Sequence, residues 1–131
     1  MKKKLKWVVL IVLLLVVILG IAFAVFMKKS EENFEALMAM PVPMVDLTTL
    51  SDGSYKGAYS VFPVDVEVTV EVSAQKIVDI TIDKHINGQG KPAEVIIDSV
   101  ISEQSLDVDM ISGATYSSKV IIKAIEDALV K

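Results

Sequence analysis

Val64-Asp65-Val66-Glu67-Val68-Thr69-Val70-Glu71-Val72 alternates valine with a polar residue without a break. A repeat of two sends successive side chains to opposite faces of a strand, so this run predicts a strand with one buried valine face and one wet face. Ser73-Ala74-Gln75 is a short connection. Lys76-Ile77-Val78-Asp79-Ile80-Thr81-Ile82-Asp83 then alternates again, with Val78, Ile80 and Ile82 expected inward. Two alternating runs this close together pair most simply as an antiparallel hairpin.

Upstream, Asp52-Gly53 is a turn signal. Gly53-Ser54-Tyr55-Lys56-Gly57-Ala58-Tyr59-Ser60 reads as another short strand, with Tyr55 and Tyr59 on one face and glycines where a second backbone approaches closely. Downstream, residues 84–92 read as a polar loop with Gly88-Gln89-Gly90 and the sequence's one histidine, His85. Pro92 suits a first helical turn, and Ala93 to Ile101 continues as a helix with Val95, Ile96, Ile97 and Val100 as its apolar residues. Ser102 to Val108 is a polar connector containing Gln104. Val120, Ile121, Ala124, Ile125, Ala128 and Leu129 form one apolar stripe of a last helix, and Lys119, Lys123, Glu126 and Asp127 are expected to face water. The fold class expected is α+β: a small antiparallel meander packed with two helices, preceded by one N-terminal transmembrane helix.

Residues 1–4 are a basic tail, 5–27 an apolar anchor, 28–50 a stalk and 51–131 the domain. Leu5 to Met27 spans about 30 Å as a helix, the thickness of a bilayer's hydrocarbon. Lys2, Lys3, Lys4 and Lys6 lie before it, and Lys28 and Lys29 are followed at once by Glu31, Glu32 and Glu35. The positive-inside rule then places the N-terminus in the cytoplasm and the domain outside the cell membrane. A cleaved signal peptide is the competing reading, because Ala22-Phe23-Ala24 has the small-x-small form. Ser30-Glu31-Glu32 looks like a fresh helix start, stopped by Pro41 and Pro43. Met38, Met40 and Met44 are soft thioethers, but without histidine or cysteine beside them they read as packing rather than a copper site.

The net charge of −4 is unevenly spread. Residues 46–131 hold seven lysines against 14 carboxylates, and the chain has no arginine. Such a domain is unsuited to nucleic acid. No cysteine is present, which excludes disulfides, thiolate metal sites and cysteine nucleophiles. No acid–base pair, nucleophile–base pair or metal-ligand cluster stands out either.

What remains is Asp109-Met110-Ile111-Ser112-Gly113-Ala114-Thr115-Tyr116-Ser117-Ser118, a hydroxyl-rich turn opening the last helix. Unpaired amides and the positive end of the helix dipole converge at such a place and suit a phosphate. Asp109 or Ser112 is expected to cap the helix, with Thr115 in its first turn. Capping alone accounts for these residue types, and the spacing of a P-loop or a dinucleotide fingerprint is absent.

The pattern Asp109-x-x-Ser112-Gly113-Ala114-Thr115-x-Ser117-Ser118 closely resembles the flavinylation motif of the FMN-binding domain family, found in subunits of sodium-pumping quinone reductases and Rnf-type complexes. Asp52-Gly53-x-Tyr55-x-Gly57 resembles that family's opening segment, and the resemblance covers residues 52–131. It implies that Thr115 carries FMN through a phosphoester bond. It also implies a separate flavin transferase that uses FAD and Mg²⁺. Asp109 and Ser112 would serve turn shape and transferase recognition, and Gly113 and Ala114 would leave room for the transferase and the phosphate, with Tyr116 and His85 as further cofactor-binding residues and Tyr55 and Tyr59 as other available rings. The family's middle loop of Glu-Thr-Pro-Gly type is replaced here by residues 85–90, which favours a small stand-alone carrier. The implied function is a membrane-anchored, extracytoplasmic electron carrier between a membrane quinone-linked donor and a downstream acceptor, rather than an enzyme with its own substrate. The alternatives are a reductase component acting directly on an external acceptor and a non-redox accessory module that has lost its flavin.

Overall fold

The computed structural model describes residues 1–42, 44–86, 88 and 90–130. Pro43, and Asn87 and Gln89 of the glycine loop, lie outside the described residues. The chain forms two units, Met1–Asn33 and Phe34–Lys131.

The first unit is helical from Lys2, within helix α1 (Lys2–Ala39). None of its most apolar stretch is buried, and by length and composition the helix is able to cross a membrane. The helix passes through Ser30 uninterrupted, so no new helix starts there; no breaker lies between Met27 and Ala39. Glu32 instead pairs with Lys28 one turn back, at 3.8 Å.

The second unit is built on one antiparallel sheet of β1 (Gly53–Val61), β2 (Val64–Ser73) and β3 (Lys76–Ile86), in that order. Val64, Val66, Val68, Val70 and Val72 are all buried, as the alternation of β2 requires. Each contributes roughly 1.5 kcal/mol or more by leaving water. The alternation of β3 is broken, however. Glu71 pairs with Asp79 but Val72 with Ile77, so Val78 is an extra residue opposite no partner. This bulge breaks the phase of the strand between Ile77 and Ile80. Ile77 and Ile80 face the core while Val78, expected inward, stands 52% exposed. A second register shift falls beside Asp83. The strand then continues through Lys84, His85 and Ile86, which the sequence had placed in a loop.

The β2–β3 turn holds both central residues in the left-handed region, Ala74 at φ 49° and Gln75 at φ 62°. This is the backbone of a type I′ hairpin, made here without glycine or asparagine. Asp52 ties it down, its carboxylate accepting from Ala74 N at 2.8 Å and Ser73 Oγ at 3.3 Å.

After β3, a 3-10 turn (Lys91–Val95) leads into α2 (Ile96–Glu103), with Pro92 in the first turn as expected. Ala93, Ile96 and Val100 are buried, and Val95 points outward at 56% exposure. The helix begins only at Ile96, which shifts the buried face away from Val95. Gln104 ends α2 in the left-handed conformation. Its side-chain amide pairs with both backbone groups of Ile77, at 2.8 Å each, and donates to Ile101 O at 2.7 Å. One side chain thus covers the bare edge of β3 where an unpaired strand would invite association.

Helix α3 (Thr115–Leu129) lies across β1 and β2. Its approach to β1 is so close that a Cβ on Gly57 would stand 2.2 Å from Ala124 O and 2.4 Å from Ala128 N. Asp127, at the same contact, accepts from the edge amide of Ala58 at 3.0 Å. Residues read as stalk also pack on the domain. Leu37 is fully buried, and Met40, Val42, Val45, Leu47 and Leu50 rest against the core. Met40 Sδ accepts from the Tyr59 hydroxyl at 3.1 Å, while Met44 is 99% exposed, so packing accounts for Met40 but not for Met44.

Two stability measurements check these contacts. Gly57→Ala forces a methyl group into the α3 backbone and is expected to cost about 3 kcal/mol in chemical denaturation. Replacing Ala74-Gln75 by Asn-Gly relieves the positive-φ residues and is expected to stabilise by about 1 kcal/mol, with the Asp52 bond to residue 74 retained.

Candidate functional site

The turn that opens α3 is closed by Ala114 N donating to Ile111 O at 3.0 Å. Gly113 is its third residue with φ 77°, the position at which a type II turn requires glycine. No atom lies within 4 Å of where its Cβ would be, so the space beside the turn is open. The first helical bond runs from Ser118 N to Ala114 O at 2.9 Å. The amides of Thr115, Tyr116 and Ser117 precede that ladder and point out of the helix start.

Neither Asp109 nor Ser112 caps the helix. Ala114 is the N-cap residue, with no side-chain cap bond. Asp109 and Ser112 are both exposed. The turn is held from inside by Ser118, whose buried hydroxyl accepts from Ile111 N at 3.1 Å and donates to Ala114 O at 2.8 Å. Because Gly113 swings the chain sharply at the helix start, a serine one turn into the helix reaches both ends of the turn. The motif pattern includes Ser118 but gives it no part in holding the turn. A serine four residues after the turn's last residue, one helical turn in, is the signal in the sequence.

Thr115 is half-buried, and among the described residues its hydroxyl has no hydrogen-bond partner. Ser117 and Ser118 are buried at 2% and 0%. The accessible hydroxyls of the motif are therefore Thr115 and Ser112, and only Thr115 lies within the helix.

Tyr116 turns away from the motif. Its hydroxyl donates to Phe62 O at 2.8 Å, and its ring stacks on Phe34 with centroids 5.8 Å apart and planes 22° from parallel. Burial, with the Tyr59 phenol nearby, raises its pKa above the ordinary tyrosine value, so it remains a protonated donor at neutral pH. Tyr55 and Tyr59 also serve packing: the Tyr55 hydroxyl donates to Ser51 O at 2.7 Å, and Lys123 Nζ lies 6.0 Å from the Tyr59 ring centre.

His85 is a strand residue of β3 rather than a loop residue. It pairs with Val66 in the sheet and shares its inward face, so its side chain is only 2% exposed. Its Nδ1 lies 3.0 Å from Glu94 Oε1. The end of β3 that carries His85 and the β1–β2 connection that anchors Tyr116 belong to the same end of the sheet.

Three concavities of about 250, 270 and 390 Å³ are lined by residues around Ile77 and Leu129, around Lys123 and Asp127, and around Gly57 and Asp83. Thr115 lines none of these three. No group of three or more His, Cys, Asp or Glu able to hold a metal occurs among the described residues. The site is a helix start with an accessible hydroxyl, open space beside its glycine and three outward amides, and these features fit a phosphoryl group.

A small α+β domain with a phosphate-suited turn at its last helix is the class that fold and site define. The model of the FMN-binding domain family matches residues 62–130, more than half of the chain, and the chain belongs to that family. It is also similar to NADH:acrylate oxidoreductase of Vibrio harveyi, with 40% identity over 68 residues. That match takes in 50% of this chain but only 7% of the relative's length.

The turn's dependence on Ser118 is open to measurement. Ser118→Ala removes both bonds and strands Ile111 N, so the midpoint of urea unfolding is expected to fall by the equivalent of about 1–3 kcal/mol.

Proposed function

We propose that this chain is a membrane-anchored, extracytoplasmic electron carrier whose FMN is attached by a phosphoester bond to Thr115. The observation that carries this reading is the state of the motif's hydroxyls. Thr115 is half-buried at the first helical position with no partner among the described residues, whereas Ser117 and Ser118 are buried. In attachment, Thr115 Oγ1 would accept the FMN phosphoryl group from FAD. The pyrophosphate bond breaks, AMP leaves and the hydroxyl proton is released. A flavin transferase with Mg²⁺ would be the partner for this step.

The bound flavin supplies the redox chemistry. The chain supplies the rest. The amides of Thr115, Tyr116 and Ser117, with the helix dipole, would hold the phosphoryl oxygens. Gly113 leaves room beside them, Ser118 fixes the turn, and Tyr116 ties the helix start to Phe62. Asp109 and Ser112, exposed on the turn, are available for recognition by the transferase. His85, buried against Glu94, acts through packing of the sheet end rather than over the ring. A covalent bond retains the cofactor where a dissociable one would be diluted. Helix α1 provides the anchor, with its lysine-rich start in the cytoplasm, and keeps the domain near a membrane quinone-linked donor and a downstream acceptor.

The name of the similar Vibrio protein favours a second reading, in which the domain serves as a reductase component for an external acceptor. Turnover of a soluble acceptor by the isolated flavinylated chain would support it.

Coexpression with a flavin transferase, followed by intact mass under denaturing conditions, tests the proposal. The chain is expected to gain the mass of one FMN, to lose that gain in Thr115→Ala and to keep it in Ser117→Ala. A wild-type chain that gains no mass would leave the non-redox module as the better reading.

A further inference from the structure

Lys119 was expected on the wet side of α3 and is instead 5% exposed. Its ammonium donates to Met40 O at 2.8 Å, and among the described residues it has no carboxylate partner. Glu126, the acid two turns further along the helix, is already paired with Lys123. Asp127 is held by Ala58 N. A buried cation without a counter-charge is costly, and such groups are ordinarily paired.

Lys119 follows Thr115 by four residues in an uninterrupted helix. Side chains four apart share one face, one turn from each other, and helical side chains lean toward the N-terminus. Lys119 therefore shares a helix face with Thr115, one turn further along. An anion on Thr115, which is half-buried, would lie one helical turn from this largely buried residue, where screening is weaker than between two fully exposed charges.

We propose that Lys119 is the buried counter-charge for an anionic phosphoryl group on Thr115. This rests on the flavin reading above and extends it to a residue outside the motif. Lys119 is a positioning residue: it fastens the chain at Met40 to α3 and compensates the charge that flavinylation brings. The modified chain is then the electrostatically complete one.

A thermal double-mutant cycle on the full chain in detergent tests this. Lys119→Met is measured in three backgrounds: FMN-loaded Thr115, Thr115→Ala, and Thr115→Glu, which carries a negative charge without any transferase. Loss of the Met40 bond is common to all three and cancels in the comparison. Lys119→Met is expected to lower the unfolding midpoint by about 4–8 °C more in the loaded and Thr115→Glu chains than in Thr115→Ala. Lys119→Arg is expected to retain most of that difference. Equal shifts in all three backgrounds would overturn the proposal. A wild-type chain that gains no FMN mass would overturn the reading beneath it, and the Thr115→Glu arm still reports the charge coupling separately.

Discussion

Helix α3 meets β1 at backbone contact, and that contact depends on one missing side chain. Gly57 leaves the space that Ala124 O and Ala128 N occupy. Ala124 and Ala128 match it from the helix side, and Asp127 secures the same junction through Ala58 N. With α3 seated this deeply, the valine face of β2 is covered and the start of the helix is fixed relative to the sheet. The position of the Thr115 turn is therefore a consequence of packing nine or more residues away.

The same depth explains why α3 is polar in sequence yet buried in fact. One side lies on the sheet. The chain from Phe34 to Met40 comes against the helix from elsewhere, with Phe34 on Tyr116 and Met40 O on Lys119. Residues that would be solvated on a one-sided helix, Ser117, Ser118 and Lys119, become interior groups. Each then has to find a role. Ser118 clamps the turn from within, and Lys119 carries a charge into a region where the proposed phosphoryl group would answer it.

The edges of a three-stranded sheet need protection, and this chain uses side chains rather than further strands. Gln104 reproduces a strand's pairing at Ile77, and Asp127 takes the amide of Ala58. These groups leave the motif turn free. The concavities around Ile77, Lys123 and Gly57 do not include Thr115, so a flavin on that residue would lie at the surface of the domain. Under the proposed reading this suits a carrier, because electrons must pass to and from partners, and a covalent bond takes over the retention that a deep pocket would otherwise supply.

The sequence by itself determined the elements whose signal is local. A period of two in Val64–Val72 defined β2 and its buried face. The apolar run of Leu5–Met27 marked a helix able to cross a membrane. Gly113 marked the sharp turn before the last helix, and the motif residues around Thr115 pointed to the family to which the chain belongs. Features that depend on a partner distant in sequence were decided only by the tertiary structure. The bulge at Val78 puts Ile77 rather than Val78 on the core face, while Ile80 and Ile82 keep the face their alternation predicts; the alternation of Lys76–Asp83 gives no hint of the bulge, since it is set by pairing with β2. His85 entered the strand because Val66 was there to pair with it. Asp109 and Ser112 have the right chemistry for a helix cap, but the backbone turn at Gly113 moved the cap to Ala114 and passed the hydrogen bonds to Ser118. The burial of Lys119 is invisible in helical periodicity, because periodicity records how many faces of a helix are apolar and not how many are covered.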